Sequence, residues 1–211
     1  PSDAGTSTAQ FLKLGAGAKE SGMGSAQVAA SSDANAVYWN PAGLNGVQDM
    51  SVSFMHVNWL EDITYDWLGF AKRINTVGVF GFGVQYMGYG SIKETNEVGV
   101  HVGDFTPNDT AVTFSYARKI SDIEFGGSAK YISSRIKRSA DSVAFDAGAR
   151  YKLKDIKLTL GAVATNVGPG LKYVSEESPL PLMIKVGCWY EISNNVWSGS
   201  KIQGVQDRLF V

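Results

Sequence analysis

The groups in this chain that could do chemistry near neutral pH are few: two histidines, one cysteine and 20 carboxylates among 211 residues. His56 and His101 stand far apart, and neither has a carboxylate at the spacing of a metal-ligand set. Cys188 is alone, which rules out an internal disulfide and a cysteine-based zinc cluster. Gly15-Ala16-Gly17 is followed by Ala18-Lys19-Glu20, so a dinucleotide fingerprint fails at its third glycine. No Gly-Lys-Ser/Thr run offers a phosphate loop, and no Gly-x-Ser-x-Gly elbow or triad setting for either histidine occurs. The chemistry is therefore expected to be non-catalytic, with no cofactor and no metal.

Two constellations remain. The first is a set of charges that alternation places on polar strand faces: Glu124, Asp146 and Glu191 against Lys130, Arg150, Lys152, Lys157 and Lys185. They suit either a polar path or a set of mutually satisfied pairs, and the second reading is preferred. The other is Asn40-Pro41, which reads as a helix N-cap with proline at the first helical position. Glu94, Glu97 and Asp104 in loop 90–108 could approach a cation, but their spacing is not that of an EF-hand. The same loop could bind a partner or be a solvated connection.

Composition narrows the class. The length suits one domain, since domains commonly run about 100–200 residues. The charged share is 18% and the hydrophobic share 44%, which disfavours disorder. A net charge of -1 argues against nucleic acid as a partner. The longest uncharged run, 74–92, is broken by Gly78, Gly81, Gly83, Gly88 and Gly90, so no transmembrane helix is expected. A transmembrane β-barrel stays open, because barrels hide their hydrophobicity by alternating it.

The elements that must position these groups are mostly strands. Residues 110–118, 123–131, 143–152, 156–162 and 182–191 alternate cleanly between apolar and small or polar side chains. Segments 50–59, 63–73 and 77–89 are also read as strands, the first two switching parity near Phe54 and Trp67. A bulge in each would explain the switch, as would strands apolar on both faces because one face covers the N-terminal segment. Short helical turns are expected at 33–38 and 41–45. Tight links at 75–76, 121–122 and 154–155 alternate with longer loops at 90–108 and 169–181, the sidedness of an outer-membrane barrel.

An alternating strand suits a soluble sandwich as well as a barrel. Paired charges and abundant Gly and Ala on the polar faces favour the barrel, as do Tyr116, Tyr131, Tyr151 and Tyr190 near the ends of apolar faces. Cys188 falls on the apolar face, where it behaves as a small hydrophobe.

Residues 5–15 (GTSTAQFLKLG), 22–24 (GMG) and 33–44 (DANAVYWNPAGL) resemble the opening of PorV/PorQ-type outer-membrane proteins, members of the FadL-like barrel superfamily. Similar stretches continue at 103–109, 115–118 and 166–173. The resemblance implies an all-β, antiparallel transmembrane barrel with a hatch at 1–48, wall strands over 49–192 and an unassigned tail at 193–211. It implies an integral outer-membrane protein after signal-peptide removal. The role would be non-catalytic, in secretion or assembly (type IX secretion in the PorV branch) or in transport. Alternatives are a FadL-like carrier of hydrophobic small molecules and a structural subunit of a surface assembly. Partners implied are outer-membrane lipid and lipopolysaccharide, secreted cargo or secretion-machinery proteins, and hydrophobic small molecules.

By the same resemblance, Asn40-Pro41-Ala42 is the hatch turn, with Tyr38, Trp39 and Phe11 along a ligand path. The plainer reading is a capped turn holding the segment against the wall. The superfamily's barrels use about fourteen strands, and eight, with a weak ninth at 200–211, are visible. A closed eight-stranded barrel has room only for side chains, so the 211 residues are expected to be part of a larger wall.

Overall fold

Period-two alternation folds here into strands. A computed structural model describes residues 7–59, 61–173 and 177–191. In chain order the strands are β1 (Met50–Asn58), β2 (Thr64–Ile74), β3 (Gly78–Gly88), β4 (Ile92–Thr95), β5 (His101–Phe105) and β6 (Asn108–Ile120). They continue with β7 (Ile123–Arg135), β8 (Ser139–Leu153), β9 (Leu158–Val167), β10 (Leu171–Lys172), β11 (Glu177–Ser178) and β12 (Met183–Tyr190). Eight of them form one antiparallel sheet in the order β1-β2-β3-β6-β7-β8-β9-β12. No ladder joins β1 to β12 among the described residues, so the sheet is open. Short links at 75–77, 121–122 and 154–157 turn the chain at one end. Asn75, Ser121 and Lys157 take positive φ there, the left-handed conformation that tight turns need.

Several boundaries differ from the alternation. Residues 132–135 and 139–142 lengthen the strands beyond the alternation read at 123–131 and 143–152: β7 runs on to Arg135 and β8 starts at Ser139. After Ile132 the inward positions are held by Ser134, Ala140 and Ser142, too small and polar to register as an apolar period. Loop 90–108 contains the β4–β5 hairpin, closed by Asn96, whose side chain accepts the amides of Val98 and Val100. Lys157 lies in the turn before β9, so it is exposed rather than inward. The expected ninth strand at 200–211 lies outside the described residues.

β1 and β2 pair without any register shift, so neither carries a bulge. Their mixed parity has the other cause. Met55 and Trp67 face inward onto the N-terminal segment while Phe54 and Leu68 face outward. A register shift does occur where β8 meets β9 at Phe145 and Ala147, and Asn166 opposite takes φ 61. That bulge turns both Thr165 and Asn166 inward.

The N-terminal segment carries a 3-10 turn (Gln10–Lys13), helix α1 (Ala18–Gly22), helix α2 (Ala36–Trp39) and a second 3-10 turn (Pro41–Gly46). It lies against one face of the sheet and reaches both ends. Ala34 donates its amide to Ser51 Oγ on β1, and the Trp39 ring lies 5.4 Å from Lys185 Nζ on β12. The sheet therefore wraps around the segment. Two buried clusters sit between them: Val37, Leu44 and Val47 with Trp67, Ala71, Val79 and Ala117, and Phe11 and Leu12 with Ala111, Ile132, Leu171 and Leu180.

Candidate functional site

Burial across the sheet is reversed relative to a soluble protein. Glu124, Lys130, Asp146 and Arg150 face inward and are almost completely buried, while the apolar side chains of the same strands face outward and are exposed. Cys188 is among the outward, exposed residues. A buried ion survives only if it is paired and its remaining donors are satisfied, and the interior shows how that is done.

Arg150 is the hub. Its Nε and Nη2 both donate to Glu124 Oε2, at 2.9 and 2.7 Å. Nη1 donates to the carbonyls of Ser31 at 2.5 Å and Ala29 at 3.3 Å, and Nη2 to that of Gly43 at 3.3 Å. Lys152 Nζ stands 2.8 Å from the other oxygen of Glu124. One guanidinium thus ties β8 to β7 and to three carbonyls of the N-terminal segment.

A second group is centred on Asp146. Its Oδ2 is 3.2 Å from Lys130 Nζ, and its Oδ1 accepts the amide of Asn166 at 2.8 Å. Lys130 also donates to Asn166 Oδ1 at 2.7 Å, and Asn166 Nδ2 donates to Pro181 O at 3.0 Å. In a third group, Asp109 accepts from Tyr89 at 2.6 Å and from Ser134, whose oxygen accepts from Tyr173 at 2.6 Å. Burial, and then the Asp109 carboxylate, push the Tyr89 phenol well above its ordinary range, so it stays a donor.

The turn at Asn40 behaves as its sequence dictates locally. The Asn40 side chain accepts the amide of Ala42 at 3.1 Å, and Pro41 opens the 3-10 turn. Its Nδ2 also donates to Val28 O at 2.8 Å and to Ala162 O on β9 at 3.4 Å. A Cβ at Gly126 would strike the backbone of Pro41, and one at Gly148 would strike the Asn40 side chain. Glycine at these two sheet positions is what lets the turn approach so closely.

Tyr38 and Trp39 meet edge to face at 4.8 Å, and Tyr38 also meets Trp67 at 6.2 Å. Tyr38 donates to Leu12 O at 3.1 Å, with burial holding its phenol far above the usual range, and Trp39 donates to Ala16 O at 2.8 Å. Phe11 lies apart from them in the second cluster. Glu20 is buried to 1% exposure, its oxygens accept no hydrogen bond, and Lys19 Nζ lies 4.0 Å from Oε1. Among the described residues no group of three His, Cys, Asp or Glu could hold a metal ion.

The family model of the type IX secretion system protein PorV matches residues 2–197. The chain belongs to the PorV family. No curated protein matches it. Membership places it among the components of type IX secretion, a family of secretion-system parts rather than of enzymes.

Within this PorV-family chain the sequence pointed to the inward charges but not to their companions. Trp67 donates to Asn35 Oδ1 at 2.9 Å, and its only signal was the broken parity of β2. Asn166 is placed by a bulge that alternation cannot register. Asp109, Ser134 and Tyr173 come from separate strands and a loop, and nothing in their spacing unites them.

Proposed function

We propose that this PorV-family chain supplies wall strands and a lumen plug to an outer-membrane β-barrel, and serves type IX secretion without catalysis. The reversal of burial carries the reading. Phe54, Phe114, Ile184 and Val186 are 70%, 63%, 77% and 79% exposed, while the interior is polar and charged. In lipid the outward face is solvated by acyl chains, and the paired charges line a lumen. Tyr116, Tyr151 and Tyr190 stand outward towards the short-turn end, and Tyr86 and Tyr131 towards the other, which supports interfacial bands at both membrane surfaces.

In this reading residues 1–48 are the plug and 49–192 the wall, and the turn at Asn40-Pro41-Ala42 is the FadL-like hatch turn. The open edges of β1 and β12 need strand partners in lipid, so further strands flank both. Outer-membrane lipid covers the outward face. The long-loop end, carrying the β4–β5 hairpin, is where secretion machinery or cargo engages. The tight interior favours holding a protein partner over passing a small molecule: Trp39 is 3% exposed, with its indole N–H tied to Ala16.

Outer-membrane fractionation followed by purification in mild detergent tests this. We expect the protein in the outer-membrane fraction, with secretion proteins co-purifying. Recovery as a monomer in aqueous buffer would overturn it.

A further inference from the structure

The outward face is not uniformly apolar. His56 with Asp66 and Lys72 with Asp49 are paired, and Asp141 accepts from Tyr131. Arg118 and Arg135 are exposed and, among the described residues, have no hydrogen-bond or ion-pair partner. Arg135 ends β7 at the long-loop end. Arg118 stands on β6 near the short-turn end, beside a groove.

The register fixes that adjacency. Arg118 pairs with Phe125, Phe125 with Ala149, Ala149 with Ala162, and Ala162 with Val186. Ala149 and Ala162 form the floor of an outward groove of about 690 Å³, walled by Phe125, Tyr151, Leu160 and Val186. A second hollow continues it along the strands past Ala147 and Ala164 towards Ile184. In that register Arg118 lies in the same row as Ala149 and Ala162, and Ile123, Tyr151, Leu160 and Cys188 line the groove one pair nearer the short turns. The second hollow carries the apolar path two residues deeper than that row, at Ala147, Ala164 and Ile184.

We propose that this site binds one phospholipid of the periplasmic leaflet, its phosphate on Arg118 and an acyl chain in the groove over Ala149 and Ala162. The inference rests on the membrane reading above. Short turns face the periplasm in bacterial barrels, and the leaflet there carries phospholipid phosphates. An arginine fork matches a phosphate in two hydrogen bonds, and the groove offers the chain an apolar wall on either side.

The test is native mass spectrometry of the protein from outer membranes in mild detergent, with bound lipid identified. We expect one phospholipid retained, about tenfold less of it in Arg118→Gln, and the same loss in Ala162→Phe, which fills the groove with Arg118 intact. Arg135→Gln should retain wild-type lipid. Equal retention in all variants, or lipopolysaccharide in place of phospholipid, would overturn the site while leaving the membrane reading standing. Extraction without detergent would overturn the membrane reading itself.

Discussion

Arg150 and Glu124 are joined at two points, Nε and Nη2 of the one converging on Oε2 of the other at 2.9 and 2.7 Å. Because the remaining guanidinium nitrogen reaches Ser31 O, the pair fastens the N-terminal segment to the sheet as well as β8 to β7. Removing Arg150 leaves Glu124 buried with Lys152 as its remaining ion-pair partner and takes the donor from three carbonyls. We expect Arg150→Met to cost about 3–5 kcal/mol in thermal or denaturant unfolding in detergent, and Arg150→Met with Glu124→Leu to recover only the part due to the buried carboxylate. A double-mutant cycle measures the coupling.

Asn40 both caps and bridges. Asn40→Asp keeps the acceptor for the Ala42 amide but loses the donor to Val28 and Ala162, whereas Asn40→Ala loses both. The alanine variant should lose about 1–3 kcal/mol, with the aspartate variant less stable than wild type through the lost donor. Unfolding midpoints of the two variants check it.

Gly126 and Gly148 should tolerate no side chain. Valine at either position collides with the 40–42 turn. We expect the N-terminal segment to leave the sheet in these variants, read as new protease cleavage within residues 7–49 while the strands stay protected.

Glu20 works in the opposite direction. A buried carboxylate whose oxygens accept no hydrogen bond destabilises the packed segment. Glu20→Gln keeps the shape and removes the charge, so it should raise stability by about 1–3 kcal/mol, seen as slower proteolysis of the same segment.

Much of this architecture was legible in the sequence because strand alternation is a local property. The face of Val112, Phe114 and Tyr116 and the cap at Asn40-Pro41 follow from neighbours one to four residues away. What stayed open or escaped depends on distant chain. Two-faced burial of β2 stood beside a bulge as an explanation of its parity, and it is decided by Trp67 reaching Asn35; the extension of β7 through Ser134, where Asp109 and Tyr173 meet it, escaped. The bulge at Asn166 is fixed by Asp146 across the sheet. Inward charges could be read as a set, but their pairing needed the register.

The native cysteine gives the most direct test of the central claim that the outward face meets lipid. Cys188 is exposed on that face, beside Leu160 in the register of β9 and β12. With a fluorescent probe on Cys188 and the protein reconstituted in bilayers carrying brominated acyl chains, we expect strong quenching. An unquenched probe on folded protein that stays soluble without detergent would contradict the account.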